Sequence, residues 1–157
     1  MVKKKTNPRV REVKFEGVRS ARPAKGVVES IAKASGVIVA PSNPIVSIGA
    51  ILSVPGIRIA LRKTKRTVVG ISPIIGGRTV KGPADKLMKA CGVKPSALGV
   101  AELYDDFLDV LIVDRADRKL APGIEHLGIK PLVTDTLMKD IRSKMRLARI
   151  ALGALKN

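Results

Sequence analysis

The chain has 157 residues, of which 45% are hydrophobic and 27% charged, and this balance excludes a largely disordered protein. Charged residues, proline or glycine interrupt every apolar run before about 18 residues, which excludes a membrane-spanning helix, and the single cysteine excludes an internal disulfide. The formal net charge of +17 favours nucleic acid, an anionic surface or phosphorylated small molecules as partners, with solubilising surface charge as the alternative.

The first three predicted elements are an edge strand, a helix and a buried strand. Residues 10–15 alternate apolar and charged side chains, the pattern of a half-exposed strand. Residues 25–34 place their apolar side chains on one helical face, and Gly36 ends that helix. Residues 36–40 then form an apolar run that is long enough for one buried parallel strand.

The loop over residues 41–49 predicts an anion site. Its two prolines fix the backbone so that Ser42 and Asn43 project in defined directions. Backbone amides of residues 47–49 would be the unpaired donors of a helix start, which favour a phosphate or carboxylate. The alternative is a proline-rich turn in which Ser47 is an ordinary helix N-cap.

Residues 47–62 predict a helix in two parts, because Pro55 and Gly56 interrupt it. Residues 67–71 predict a second buried strand.

A second phosphate-binding element is predicted in the loop over residues 72–83. Gly76 and Gly77 would let a ligand approach the backbone, while Arg78 and Lys81 could neutralise phosphate charge. The loop lacks the Gly-Lys-Ser/Thr ending of a Walker motif. The alternative is a mobile surface loop with incidental cations.

The second half of the chain predicts three helices and two strands. Residues 83–91 form a helix with Cys91 on its apolar side, and another helix runs from Pro95 through Phe107. Buried strands follow at residues 110–113 and 130–133, separated by a polar, partly helical segment. The last helix has its N-cap among residues 134–136 and buries an apolar stripe of Leu137, Ile141, Met145, Ala148, Leu152 and Leu155.

Strands that alternate with helices predict one α/β domain over residues 1–157, with a parallel sheet and helices on both faces. Ligands in such sheets bind beyond the carboxyl ends of the strands, so the loops after residues 40 and 71 would meet at one rim. No internal repeat or linker divides the chain. The apolar N-terminal core of a secretory signal is absent, and together with the single cysteine this predicts a cytoplasmic protein.

Other chemistry has weaker support in the sequence. The only histidine, His126, lies at a predicted helix end, where a surface or C-capping role is expected. Asp105 and Asp109 have the spacing of a solvated helix face, and metal ligands with diagnostic spacing are missing. The net charge of +17 favours nucleic-acid binding, but the chain has no recognisable nucleic-acid-binding motif and only three aromatic residues for stacking bases.

Five motifs in order resemble the 2-phospho-L-lactate transferase family. They begin with Ala-Pro-Ser-Asn-Pro-Ile-Val-Ser-Ile-Gly and end with Leu-Val-Thr-Asp-Thr-Leu-Met. The segments that carry the resemblance are residues 40–49, 72–77, 81–86, 96–101 and 132–138.

The resemblance implies a Rossmann-like three-layer sandwich with a mainly parallel sheet, incomplete at its N-terminal side. It also implies a transferase of deazaflavin coenzyme F(420) biosynthesis. Such enzymes move a 2-phospholactyl or phosphoenolpyruvyl group from its guanosine diphosphate conjugate to the deazaflavin precursor FO, use Mg²⁺ and release GMP. The resemblance implies nucleotide or phosphate contacts for Ser42, Asn43, Ser47, Gly76, Gly77, Arg78 and Lys81.

The resemblance covers only the later half of that family's chain, so no catalytic residue and no metal ligand is assigned in this sequence. We expect the chain to be a fragment of a larger transferase. Two alternatives are a short protein completed by a partner, as a homodimer or with a complementing N-terminal half, and an inactive basic module that binds RNA or nucleotides. The transferase interpretation predicts the guanosine diphosphate conjugate and the deazaflavin as partners, and neither a membrane nor nucleic acid.

Overall fold

A four-stranded parallel sheet organises the structure, a computed structural model that describes residues 10–156. A two-stranded antiparallel hairpin lies beside it. The strands are β1 (Val37–Val39), β2 (Val68–Ile71), β3 (Ile74–Ile75), β4 (Arg78–Thr79), β5 (Val110–Asp114) and β6 (Lys130–Thr134). The helices are α1 (Val27–Lys33), α2 (Ile48–Ser53), α3 (Ile57–Lys63), α4 (Ala84–Ala90), α5 (Ala97–Tyr104), α6 (Ala121–His126) and α7 (Ile141–Ala154), with a 3₁₀ helix over Arg115–Leu120.

The sheet order is β1-β2-β5-β6, and all three pairings are parallel. The register aligns Val69 with Val110 and Ile112 with Leu132, so side chains in line across the strands share a face. Every residue of β2 and β5 is buried, which explains why both read as continuous apolar runs.

Each face of the sheet carries its own apolar cluster. The larger cluster contains Val68, Leu111 and Val113 together with residues of α2 to α6, and the side chains of α1 pack against it. The smaller cluster contains Val69, Ile71, Val110 and Ile112 together with Leu147, Ala151 and Ala154 of α7. The sheet therefore lies between two helical layers, and this confirms the predicted α/β three-layer architecture.

The element order agrees with the sequence at most positions. The predicted break at Pro55 and Gly56 is confirmed, because Gly56 takes a left-handed φ of 96° immediately before α3. The loop after β2 contains the β3–β4 hairpin, which was not predicted. Within residues 10–156, no helix has both the length and the apolarity needed to cross a membrane.

The predicted edge strand at residues 10–15 is wrong. This segment has no regular secondary structure, and Val10 and Val13 pack half-buried against the larger cluster. Alternating polarity indicates only that one side of a segment is buried. A strand also needs a hydrogen-bonded neighbour, which the pattern does not show.

Three burial predictions also need correction. Ile38 of β1 is 38% exposed, because β1 lies at an edge of the described sheet. Cys91 is exposed, since it follows the last residue of α4, where the chain turns through Gly92 at a φ of 76°.

The predicted stripe of α7 is the third correction. Ile141, Met145 and Leu152 are exposed, and the buried face lies on Leu147, Ala151 and Ala154. Two apolar stripes run along α7, and the sheet packs against the one that contains Leu147. The N-cap is also later than predicted, because Asp140 forms a capping box with Ser143.

Two helical glycines give a matched test of packing. A Cβ at Gly99 would overlap the carbonyl oxygen of Lys94, whereas a Cβ at Gly153 in α7 would meet nothing within 4 Å. We expect Gly99→Ala to destabilise the protein by about 2 kcal/mol or more through overpacking. Gly153→Ala should stabilise it by about 0.5–1 kcal/mol through helix propensity. Urea unfolding of both variants measures the difference, and equal midpoints would contradict the described packing around Gly99.

Candidate functional site

Three loops that follow parallel strands line one cavity of about 500 Å³. The loop after β1 contributes residues 41–43 and 46–47, the segment from β2 to α4 contributes residues 72–73, 75 and 79–84, and the loop after β6 contributes residues 136–138. Because β1, β2 and β6 are parallel, their carboxyl ends lie at the same rim, and this arrangement brings the loops together.

Four of the seven predicted contact residues line this cavity. Ser42, Asn43 and Ser47 come from the loop after β1, and Lys81 comes from the turn after β4. The structure thus brings together two sequence segments that are separated by α2, α3 and β2.

The other three predicted residues lie outside the cavity lining. Gly76 and Gly77 form the exposed turn between β3 and β4, both with positive φ. Arg78 lines an adjoining pocket of about 340 Å³, which shares Ile75, Thr79, Val80 and Leu137 with the main cavity.

Asn43 organises the loop after β1. Its Oδ1 accepts hydrogen bonds from the N–H groups of Ile45 (2.9 Å) and Val46 (3.1 Å). Its backbone carbonyl accepts from Ser47 (3.2 Å) and Ile48 (3.0 Å). The predicted unpaired amides at Ser47 and Ile48 are therefore wrong, because Asn43 satisfies them before α2 begins.

Lys81 is presented by a turn that two hydroxyl groups support. The buried Ser72 hydroxyl donates to the carbonyl of Ile74 at 3.0 Å and accepts from its N–H at 3.2 Å, which fixes the start of the hairpin. At the end of the hairpin, the Thr79 hydroxyl donates to the carbonyl of Gly82 at 2.8 Å. Lys81 lies between these last two residues with an exposed side chain.

Asp114 connects the end of β5 to the loop after β6. Its Oδ2 accepts hydrogen bonds from the N–H (2.9 Å) and the hydroxyl (3.1 Å) of Thr136, and its Oδ1 accepts from the N–H of Ala116 at 3.0 Å. Thr136 in turn lines the cavity. Asp114 and Thr136 were not predicted as site residues, although a polar segment after a parallel strand was the signal that could have found them.

Asp117 performs a similar task for the hairpin. This aspartate is 5% exposed, and its Oδ2 accepts a hydrogen bond from the N–H of Gly76 at 3.0 Å. The Gly76 amide is therefore directed at the 3₁₀ helix. Together, Asp114 and Asp117 connect the loop after β6 and the hairpin to the end of β5 and the 3₁₀ helix that follows it.

The two aspartates have opposite pKa shifts. Burial raises the pKa of Asp117 and the negative charge of Asp114 raises it further, while the Gly76 hydrogen bond partly opposes them. Burial would also raise the pKa of Asp114, but the hydrogen bonds from Ala116 and Thr136 outweigh it and lower that pKa.

Two other acidic residues, Asp106 and Asp109, serve the scaffold. Arg58 donates to both carboxylate oxygens of Asp106, at 2.9 and 2.6 Å, and Asp109 accepts from the N–H of Val68 at 2.7 Å. His126 lies exposed in the last turn of α6. No group of three or more His, Cys, Asp or Glu side chains within residues 10–156 could hold a metal ion.

A parallel sheet between helical layers, with a loop-lined cavity at the carboxyl ends of its strands, defines a Rossmann-like α/β protein. A crystal structure of a Bacillus halodurans protein shares this fold, with a TM-score of 0.56 and 17% sequence identity. The match covers 83% of this chain and 47% of that one. Over residues 1–150 the sequence matches the family described as 2-phospho-L-lactate transferase CofD, and the chain belongs to that family.

Named relatives agree with this membership. The chain is 46% identical to the 2-phospho-L-lactate transferase of Methanosarcina mazei over 151 residues, which cover 96% of this chain and 49% of the relative. It is 46% identical to the phosphoenolpyruvate transferase of Kitasatospora aureofaciens over 138 residues, which cover 87% of this chain and 43% of the relative. The chain therefore spans about half the length of the curated relatives it matches.

Substitution by Asn should distinguish the structural roles of Asp114 and Asp117. Asn offers one acceptor oxygen, so Asp114→Asn leaves at least one of the N–H groups of Ala116 and Thr136 facing another donor. We expect a loss of about 1–3 kcal/mol in stability. Asp117→Asn keeps an acceptor for Gly76 and should change stability little at neutral pH. Urea unfolding measures both, and hydrogen exchange of the Ala116 amide, the Thr136 amide or both should accelerate in Asp114→Asn alone. Equal effects of the two substitutions would contradict the described roles.

The pH dependence of stability should have opposite signs at the two positions. A carboxyl whose pKa is raised on folding takes up a proton, so its contribution to stability grows as pH falls toward the usual value of 3.8. A carboxyl whose pKa is lowered loses its contribution as pH falls below 3.8.

With falling pH, the native protein should therefore gain stability relative to Asp117→Asn above pH 3.8 and lose it relative to Asp114→Asn below pH 3.8. Urea midpoints measured across this range test the signs. A constant difference between the native protein and Asp117→Asn would show that the Asp117 pKa is not raised.

Proposed function

We propose that the protein provides the nucleotide-binding part of a transferase of deazaflavin coenzyme F(420) biosynthesis. The transferase moves a 2-phospholactyl or phosphoenolpyruvyl group from its guanosine diphosphate conjugate to the deazaflavin precursor FO. The observation that carries the proposal is the convergence of three strand-following loops on one cavity, in a chain of the 2-phospho-L-lactate transferase CofD family. The names of the relatives supply both candidate transferred groups.

In the proposed reaction, a hydroxyl oxygen of FO attacks the phosphorus that carries the lactyl or enolpyruvyl group. A new phosphorus–oxygen bond forms, and the bond from that phosphorus to the oxygen of the GMP phosphate breaks. GMP leaves with the bridging oxygen, and the hydroxyl proton passes to a base. We assign no base among residues 10–156.

The role of this chain is to hold the diphosphate. Lys81 supplies a positive charge in the cavity, and the hydroxyls of Ser42 and Ser47 supply neutral donors. Asn43 uses its side-chain oxygen within the loop, which leaves its Nδ2 for a ligand. These groups would stabilise negative charge on the departing GMP as the bond to phosphorus breaks.

Arg78, Gly76 and Gly77 lie outside the cavity lining, and we assign them supporting roles in this proposal. Arg78 lines the adjoining pocket and its side chain is exposed, so its guanidinium group can extend toward the diphosphate. Gly76 donates its N–H to Asp117, so we assign Gly76 and Gly77 to the shape of the hairpin turn. In that role they position Arg78.

The Mg²⁺ that the resemblance implies does not fit the donors of residues 10–156. The buried carboxylates of Asp114 and Asp117 already accept hydrogen bonds from Thr136, Ala116 and Gly76. Among residues 10–156, no group of three or more His, Cys, Asp or Glu side chains could hold a metal ion. We therefore derive no step through the metal.

GDP titration tests the nucleotide site directly. We expect saturable binding of one GDP per chain, and Lys81→Ala should weaken the affinity about tenfold, the value of one charge-assisted hydrogen bond. Lys89→Ala is the matched control, because Lys89 lies in the last turn of α4 and outside the cavity lining. Isothermal titration calorimetry gives the stoichiometry and affinity.

The same titration at several salt concentrations separates the proposal from nonspecific RNA binding. Charge-driven RNA binding loses affinity steeply as salt rises, whereas a single diphosphate site loses much less. If GDP does not saturate the chain, or if Lys81→Ala and Lys89→Ala behave alike, the assigned cavity is wrong. Salt-sensitive RNA affinity in that case would support the basic binding module.

A further inference from the structure

A second pocket lies near the amino ends of β1 and β2, at the opposite end of these strands from the main cavity. It encloses about 530 Å³, and its lining comes from α1, α3 and the loop that joins α3 to β2. The main cavity lies beyond the carboxyl ends of the same strands. The four residues of β2 separate the two sites by roughly 13 Å, the length of a parallel strand of that size.

This pocket combines an aliphatic side with a basic side. Val28 and Ala32 of α1 and Ala60 of α3 form the aliphatic side. Residues 63–66 form the basic side, with two lysines and one arginine whose side chains are exposed. Among the residues that the structure describes, no acidic side chain lines the pocket. We call this site the basic pocket.

The cations of the basic pocket form no ion pair within residues 10–156. Arg58 and Arg62, which precede them in α3, both contact the carboxylate of Asp106. The two lysines and the arginine of the basic pocket lack such a partner in the same part of the chain. Like charges so close along the chain repel one another, and an anion that enters the pocket would relieve this repulsion.

The loop that carries Lys65 and Arg66 is fixed by hydrogen bonds. The N–H of Arg66 donates to the hydroxyl of Thr64 at 3.2 Å, and the N–H of Thr64 donates to the carbonyl of Ala60 at 3.1 Å. Lys63 lies in the last turn of α3, where a cation stabilises the helix end, but Lys65 and Arg66 lie beyond that helix. Their backbone is fixed before binding, which lowers the entropy cost of ordering the loop around a ligand.

The two sides of the basic pocket select the chemistry of its occupant. The cations attract carboxylates or phosphates, and the aliphatic side gains from contact with an aliphatic group. A peptide that carries acidic residues around a leucine supplies both. RNA supplies phosphates, but its unpaired bases stack on aromatic side chains, and none lines the pocket in the described part of the chain. Residues 1–9 have the wrong charge, because all of their charged side chains are basic.

We propose that the basic pocket is a docking site for an acidic peptide segment of a partner protein. One aliphatic side chain of the segment packs against Val28, Ala32 and Ala60, and the flanking carboxylates pair with the cations of residues 63–66. Because the main cavity lies at the other end of β2, the partner can bind while a nucleotide is present. The docking site is independent of the proposed reaction.

Fluorescence anisotropy with a labelled model peptide tests the site. The probe is Asp-Glu-Leu-Glu-Asp with capped ends, and the comparison peptide has Ser in place of Leu. We expect one Leu peptide to saturate each chain, and the Ser peptide to bind about tenfold more weakly, because it leaves the aliphatic side without a partner. Arg66→Glu should weaken binding of the Leu peptide at least tenfold, since it replaces attraction by repulsion.

Lys89→Glu is the matched control for charge. Lys89 is also a cation beside a helix end, but it lies outside the basic pocket, so the affinity should change by no more than about twofold. Ala60→Leu fills the aliphatic side and should abolish the preference for the Leu peptide over the Ser peptide. Urea unfolding verifies that each variant folds. GDP titration of Arg66→Glu should match the native protein, because Arg66 lies outside the main cavity.

Three results would overturn the proposal. The first is that the Leu peptide does not saturate the chain, or that Arg66→Glu and Lys89→Glu have equal effects. The second is equal affinity for the Leu and Ser peptides, which would leave only general charge attraction. The third is another occupant. Tighter binding of an oligouridylate of the same charge would assign the pocket to RNA, and dimers of this chain that Arg66→Glu dissociates would assign it to a second copy.

Discussion

The carboxylate of Asp114 at the end of the central strand β5 is the constraint on which the cavity rim depends. It lies where a fully buried strand ends and accepts one hydrogen bond from the 3₁₀ helix that follows and two from the loop after β6. An unpaired carboxylate would be costly in such a place, so both segments are fixed by the need to satisfy it. Asp117 extends the arrangement to the Gly76 turn. The positions of the rim segments therefore depend on the buried carboxylates of Asp114 and Asp117 as well as on the residues that line the cavity.

The central layers of the fold were predictable because their signals are local. β2 and β5 are buried on both faces, so each reads as an apolar run, and the break between α2 and α3 follows from proline and glycine at residues 55–56. The convergence of two loops also followed from general rules of parallel sheets. These rules placed Ser42, Ser47 and Lys81 around one cavity without any side-chain contact being known.

Two of the failures concern interactions between distant residues. Burial of Val10 and Val13 against the core mimics a strand, and the sequence does not show whether a hydrogen-bonded neighbour exists. For α7, a four-three spacing suggested the buried stripe, yet the sheet packs against the face that carries Leu147, Ala151 and Ala154. Both outcomes depended on which partner surface is nearest, and periodicity alone carries no such information.

A third failure is local. The amides of Ser47 and Ile48 were expected to be unpaired at the start of α2, but the backbone carbonyl of Asn43 accepts a hydrogen bond from each of them.

The packing of α7 on the sheet affects how the protein folds during synthesis. α7 supplies the helical residues of the smaller cluster, and it is the last described helix in the chain. During translation, the face that carries Val69 and Ile112 must wait for α7 while the opposite layer can already assemble from contacts closer in sequence. The nascent chain then presents a hydrophobic sheet face until α7 emerges. That interval is when a chaperone would be of most use to it.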